Sequence, residues 1–553
     1  MKKIFFTALR YPVRASIVAL GLMAALTSTA ALAATAAASS GAPAPKTGGE
    51  LVFGLDGAQV SEFILDPANS SFAPHNRVFR SIFDSLVVLK QDQTVGPWLA
   101  ESWEVSPDRK TYTFKLRKDV KFHDGTPFNA AAVKFNLDRI KEPKNALAAL
   151  IDLGPYESSE AVNATTLRIK LSEPFEPLLR NLSKTTSGIS SPAAIAKYGD
   201  TYALNPVGTG PFKLVSLQQG TEIKLARNPD YKWAPVTATH QGPAYLDKLT
   251  FRNVPEESTR VAVLQSNQVQ AIDGIPPQNF VLFKNDPNYR VYLKELLNNN
   301  YGLALNVAKA PWNDEDIRRA FRASLDIDTI VKVIYLGSAP RAWAQLSPSL
   351  FGSADKELYR SWKPDLAQAQ QILDKKGWVV GKDGIRVKDG KRLTVSFIDT
   401  QGNREKRLDV IQLVRRHVAK AGFELTIDSQ PAGAYRTKIA NLEYDLSAGS
   451  QFAPDPDVLR RLFSPEGRAK TSGYKIDDPE ITQWLKDGLK ENDATKRADI
   501  YKKVQRKLVD KVYTIPVYVL LYAIGTTKDV NGLTIDAQGF PEFQGVWLSS
   551  RVD

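Results

Sequence analysis

At 553 residues the chain is too long for one hydrophobic core and should divide into two or three domains. Its 43% apolar and 24% charged residues are the make-up of a soluble globular protein, and the absence of cysteine excludes disulfides, thiol chemistry and a lipid-accepting cysteine. The formal charge of +13 comes from basic residues interleaved with acids, as in 420–428 and 486–503, which points to a solvated basic surface and away from nucleic acid.

In chain order, Lys2, Lys3, Arg10 and Arg14 precede an apolar run from Ala15 to about Leu26, and the Ala31-Leu32-Ala33 triplet offers small residues for cleavage. The run is shorter than the ~20 residues of a spanning helix, so residues 1–33 read as a cleaved signal peptide. Its removal takes away four basic residues and no acid, lowering the charge from +13 to +9. No later segment is long and apolar enough to cross a bilayer, so no membrane insertion is expected after cleavage. Residues 34–49, rich in Ala, Ser, Gly and Pro, read as a disordered lead-in. A strand is expected over 51–55, then a Leu65-Asp66-Pro67 turn, a polar irregular stretch over 69–76, and an apolar pattern over 78–89.

Residues 95–140 carry the densest local signals. Tyr112, Phe114 and Leu116 alternate with polar residues, the period of a half-buried strand, and Ser106-Pro107-Asp108 turns it back against 103–105. Asp124-Gly125 makes a second turn, and Asn129 sits at the N-cap of a helix bearing Val133, Leu137 and Ile140. His123 has no partner at metal-ligand spacing and reads as scaffold.

The run 100–135, AESWEVSPDRKTYTFKLRKDVKFHDGTPFNAAAVKF, resembles the signature of the peptide/nickel class of extracellular solute-binding proteins, the receptors that feed ABC importers. Gly208-Thr209-Gly210-Pro211-Phe212, Asn228-Pro229-Asp230-Tyr231 and the run 304–337 resemble further elements of that family. A phosphate cradle is the other reading of the glycines, but the Lys-Ser/Thr ending is missing. The resemblance implies an α/β, two-lobed periplasmic-binding-protein fold of type II, with three domains and a ligand cleft between the lobes. Domain I would be built from residues 50–86, 204–300 and 513–553, domain II from 87–203 and domain III from 301–512. It further implies a periplasmic, monomeric receptor that takes a small peptide-like ligand to the membrane subunits of an ABC permease.

The rest of the chain suits a layered α/β architecture. Strands are expected over 166–171, 212–215, 222–225, 269–272, 301–307, 393–398, 423–427, 444–447 and 514–519, the last returning the chain to domain I. Helices are expected over 192–198, 259–265, 328–336, 365–376, 408–421, 479–489 and 494–512. Asn313 is expected to cap another, with Asp314, Glu315 and Asp316 in its first turn and Ile317, Ala320, Phe321 and Leu325 on its buried face.

Catalytic chemistry is poorly represented. The four histidines (His75, His123, His240, His417) form no ligand set, there is no nucleophile elbow, and no metal or cofactor is expected. Asp455 and Asp457 are the one candidate acid pair for a hydrolase, though in a Pro-Asp-Pro-Asp turn they suit loop organisation and capping better.

The resemblance places ligand contacts in the loop after the Leu65-Asp66-Pro67 turn, here Asn69, Ser70, Ser71 and Phe72, and near Arg404. Peptide binders of the family pair an aspartate just before a PDP-like turn with the ligand's α-ammonium. Here that place holds only Ser450, Gln451, Phe452, Ala453 and Pro454, in a segment about two residues shorter. Gln451, Phe452 and Asp455 are therefore the expected contacts. Either Asp455 or Asp457 takes the amine, or the ligand has no free amine there and is N-substituted or anionic. An oligosaccharide is the alternative ligand, with Trp312, Trp343, Phe452 and Trp484 as stacking faces.

Overall fold

The computed structural model describes residues 44–57, 62–142, 149–351, 355–465 and 476–550. The expected signal peptide and residues 34–43 of the lead-in lie outside them. Among the described residues no helix is long and apolar enough to cross a membrane.

Three sheets organise the chain. The large sheet has seven strands in the order Tyr289–Glu295, Leu521–Thr527, Ala271–Asp273, Glu50–Leu55, Lys248–Asn253, Glu222–Arg227, Phe212–Gln218. Glu50–Leu55 runs parallel to both neighbours. Its alternation buries Leu51, Phe53 and Leu55 completely, and Phe53 meets Phe251 and Phe543 edge-on at 5.8 and 5.3 Å.

The small sheet is antiparallel, in the order Ala100–Val105, Thr111–Leu116, Thr166–Leu171, Tyr156–Asn163. Trp103 pairs with Phe114 and Val105 with Tyr112, as the alternation requires. Tyr112, Phe114 and Leu116 are buried in one cluster with Val133, Leu137 and Ile140 of helix Ala130–Lys141. The Asn129 side chain caps that helix by accepting from Ala132 N at 3.0 Å. His123 is a staple: its backbone N donates to Gly208 O at 2.9 Å, and its Nε2 lies 3.0 Å from Gly210 O. The glycines there serve close approach, since a Cβ on Gly210 would lie 2.6 Å from the Ile82 carbonyl carbon.

The five-stranded sheet has the order Glu424–Gln430, Thr394–Thr400, Leu446–Gly449, Tyr301–Leu305, Thr514–Tyr518. Thr394–Thr400 is parallel to both neighbours, while Tyr301–Leu305 is antiparallel to both of its own. Thr514–Tyr518 thus stays in this sheet rather than returning the chain to the first: Ile515 and Val517 are buried in the same core as Leu303 and Trp312. The return falls at Val519 and Leu520, just before Leu521–Thr527 of the large sheet. A second boundary shift concerns the helix Glu315–Ala323. Its cap is Asp314, whose carboxylate accepts from Asp316 N at 2.9 Å, and not Asn313.

Two chain crossings join the large and five-stranded sheets, at 296–300 and 519–520, and they touch through Leu296 N donating to Leu520 O at 3.1 Å. The crossings between the large and small sheets are held by Asp84, which has no exposed surface. Its carboxylate accepts from the Thr209 hydroxyl at 2.8 Å, Trp233 Nε1 at 3.0 Å and the Tyr231 hydroxyl at 3.3 Å, tying the outgoing segment to the returning one. Burial pushes this acid up to about 7 despite those donors.

Candidate functional site

In α/β sheets, ligand sites form outside the carboxyl ends of parallel strands. Here the carboxyl ends of Glu50–Leu55 and Ala271–Asp273 in the large sheet lie across from the loop that follows Thr394–Thr400, and charged residues gather between them.

From the large sheet come Asp56, Asp273 and Tyr522. Arg77, on helix Ala73–Ile82, pairs with Asp273, and its guanidinium lies 4.7 Å over the Tyr522 ring. Tyr522 donates its hydroxyl to Asp273 Oδ2 at 3.4 Å, and Asp56 N donates to Oδ1. Burial pushes the Asp273 carboxyl above the usual range, against the pull of Arg77.

From the five-stranded sheet come Tyr301 and Tyr518, register partners whose rings stack at 4.9 Å. Arg407 lies 4.9 Å over the Tyr301 ring and donates to Ser450 Oγ at 3.0 Å. Its Nε and Nη2 donate to the Glu405 carboxylate at 3.1 and 2.7 Å. Glu405 also accepts from the Tyr518 hydroxyl at 3.2 Å, and its backbone carbonyl from the Tyr335 hydroxyl at 2.7 Å. Burial alone would raise this acid, but Arg407 and Arg404 prevail and hold it at about 2.

The backbone at this point is unusual. Glu405 and Lys406 are consecutive non-glycine residues at φ 55° and 59°, a conformation that costs roughly 1–3 kcal/mol per residue and persists only where surrounding contacts fix it. The Glu405 contacts fix one residue. An ion pair from Lys406 Nζ to Glu257, on helix Glu257–Gln265 beside the large sheet, fixes the other.

Arg404 joins this network only through its ion pair with Glu405. It is 18% exposed, its Nε is 3.4 Å from Glu405 Oε1, and its guanidinium lies 5.9 Å over the Phe72 ring. Within the described residues its side chain makes no hydrogen bond, the Nε included, and the ion pair with Glu405 is its one charged contact. A guanidinium carries five N–H donors in a fork that suits a carboxylate, so this one is equipped to receive an anion.

The residues expected to touch a ligand divide. Phe72 and Arg404 come together, as described. Ser70 is turned inward, its hydroxyl 2.7 Å from His75 Nδ1, while Asn69 and Ser71 are exposed. Residues 297–299 and 451–453 run alongside one another through Asn299 N to Gln451 O at 3.2 Å and Ala453 N to Leu297 O at 3.1 Å. That leaves the Gln451 Oε1 buried without a partner and sets Phe452 edge-on to Phe540 at 4.9 Å.

Asp455 is turned into the protein. It is 2% exposed and held by Arg497 through two hydrogen bonds of 2.9 and 2.7 Å, with a third from Asp457 N at 2.9 Å. Asp457 is likewise taken by Arg460, through two bonds of 2.8 Å, and its side chain makes no cap to helix Val458–Phe463. Both carboxylates are thus buried and bound to guanidiniums. Trp312 is also no stacking face: fully buried, it packs on Phe321 and Phe423. Among the described residues no group of three or more His, Asp or Glu is placed to hold a metal ion.

Arg77, Glu405 and Arg407, with the tyrosines at 301, 518 and 522, went unread in the sequence. The charged run Arg404-Glu405-Lys406-Arg407 after a strand is the one local signal that marks any of them.

Comparison with known proteins places this geometry in context. Residues 94–470 match the model of the bacterial extracellular solute-binding proteins, family 5. The glutathione-binding protein GsiB of Escherichia coli (strain K12) is 28% identical over 483 residues, covering 85% of this chain and 90% of that protein. Among solved structures, the periplasmic binding protein DppA from Helicobacter pylori, in complex with peptide STSA, superposes with a TM-score of 0.78 at 26% identity, covering 91% of this chain and 99% of that one. NikA from Brucella suis, in complex with Fe(III)-EDTA, superposes with a TM-score of 0.76 at 25% identity, covering 90% and 100%. The sheets described above are therefore those of a type II periplasmic binding protein. The chain belongs to the bacterial extracellular solute-binding proteins of family 5.

Proposed function

We propose that the protein is the periplasmic receptor of an ABC importer, and that it captures a small anionic, peptide-like solute between the large and five-stranded sheets and hands it unchanged to a membrane permease. The observation that carries this reading is Arg404: a guanidinium facing the opposite sheet, close to the Phe72 ring and without a hydrogen bond in the described residues. A solute carboxylate would supply the missing acceptor, and Gln451 Oε1 would accept an amide N–H from the same molecule.

The ionised state of residues 450–457 supports a ligand without a free α-ammonium at that end, because Asp455 and Asp457 are already neutralised by Arg497 and Arg460. Glutathione is the natural first probe, given the relative that binds it; its carboxylates suit Arg404. Ligand trapped across two bodies favours the closed arrangement by its differential affinity for it.

The test is native mass spectrometry of the protein as purified from the periplasm. A thermal-shift panel of glutathione, free di- and tetrapeptides, and N-acylated peptides would accompany it. We expect a retained or stabilising ligand carrying at least one carboxylate and recovered with unchanged mass. A panel in which only cationic or uncharged compounds stabilise the protein, or in which the bound compound is cleaved, overturns the proposal.

A further inference from the structure

A second cavity, of about 260 Å³, opens between helix Glu315–Ala323 and the start of helix Leu366–Lys375, lined among others by Arg319, Arg322, Trp362, Lys363, Gln368 and Ile372. None of these residues belongs to the site around Arg404. Arg322 lies 5.5 Å over the Trp362 ring, and Arg341 lies 5.0 Å over the same ring and 4.6 Å over Trp343. The two indoles meet at 6.1 Å and 64°. One tryptophan therefore serves two guanidiniums.

Neither guanidinium has a carboxylate within ion-pair distance among the described residues, whereas the neighbouring Arg319 is bound to Glu315 Oε1 at 2.9 and 2.6 Å. Arg322 donates one hydrogen bond, from Nη1 to Val509 O at 2.7 Å, which leaves its other donors to the cavity. Arg341 is turned to backbone carbonyls, and its Nε and Nη2 are buried without partners. The acid at the rim, Asp365, caps the next helix by accepting from Gln368 N at 2.8 Å. Arg341 does not line the cavity, whereas the half-buried Arg322 guanidinium does, and a bound anion would supply the counter-charge it lacks. Burial and the charge of Arg319 hold the Arg322 guanidinium down to about 10, which is the field an anion would relieve.

We propose that this cavity is a second binding site, for a small molecule bearing carboxylate or phosphate oxygens. The oxyanion meets the free donors of Arg322, Lys363 closes the mouth, and the body of the molecule rests against Ile372 and the edge of Trp362. The site is independent of the Arg404 site.

Isothermal titration of the full mature protein with citrate and, separately, inorganic phosphate tests it, the two arms separating carboxylate from phosphate preference. One saturable equivalent is expected with at least one of them, unchanged in Arg404→Ala. It should weaken at least about tenfold in Arg322→Gln, which removes the charge-assisted hydrogen bonds. Lys363 is exposed, so Lys363→Glu leaves the fold intact and should weaken binding by a similar factor should Arg322→Gln not fold. Absence of saturable binding by either probe overturns the proposal. So does binding that survives Lys363→Glu and Arg322→Gln, or that disappears in Arg404→Ala.

Discussion

Replacing Arg404 with methionine separates a ligand-binding guanidinium from a structural one. Methionine keeps much of the aliphatic stem that passes Phe72 and removes only the charged fork. In the unliganded protein that fork is 18% exposed and makes no hydrogen bond in the described residues, and its ion-pair partner Glu405 keeps Arg407 and Tyr518. A pair of this kind contributes about 0–1 kcal/mol, so the melting temperature should move by no more than about 4 °C. With ligand bound, the fork supplies charge-assisted hydrogen bonds of about 1.5–3 kcal/mol, and their loss should weaken binding about 10- to 150-fold. Calorimetric titration with the ligand recovered from the purified protein gives the second number, and thermal unfolding without ligand gives the first. Affinity within about threefold of wild type refutes the reasoning, as does a fall of about 8 °C or more in the unliganded melting temperature.

Asp455→Asn should have the opposite profile: it leaves Arg497 buried without its counter-charge, at a cost of about 3–5 kcal/mol in chemical denaturation, while affinity in the folded fraction stays near wild type. His75 is 3% exposed, and burial holds its imidazole down to about 4 from an ordinary 6.5. The neutral ring thus contributes stability that is present above pH 6.5 and is lost as pH falls toward 4, by up to about 3 kcal/mol. His75→Gln should flatten the denaturation midpoint over that window, and an unchanged slope counts against the assignment. Asp84 has the reverse sign: its folded value of about 7 lies above the ordinary carboxyl range, so the fold gives up as much as about 4 kcal/mol as pH rises from 4 to 7. Asp84→Asn should remove this term, measured as a smaller stability difference between pH 5 and pH 8.

What the sequence disclosed and what it withheld follow from the range of the forces involved. The hairpin at 100–116 and the Asn129 cap were readable because their partners lie within a few residues. Arg404 was found through resemblance, and its place near Phe72 depends on packing 332 positions apart in the chain. The role of Asp455 turned on Arg497, 42 residues further on, and no local pattern announces a partner at that distance. The inward turn of Ser70 was hidden for a similar reason at shorter range, because only the folded turn brings it to His75. Thr514–Tyr518 reads as a buried strand in either sheet, so its pattern could not say which one it joins.

The single carboxylate of Asp84 has a mechanical consequence. By clasping Thr209, Trp233 and Tyr231 at once, it welds the departing and homecoming segments of the small sheet to one anchor. The large and five-stranded sheets, by contrast, are joined by the chain only through the adjacent segments 296–300 and 519–520 among the described residues. On the proposed capture between the two sheets, substitutions at Leu296 or Leu520 should retune how readily the protein opens while leaving Arg404 and Gln451 in place.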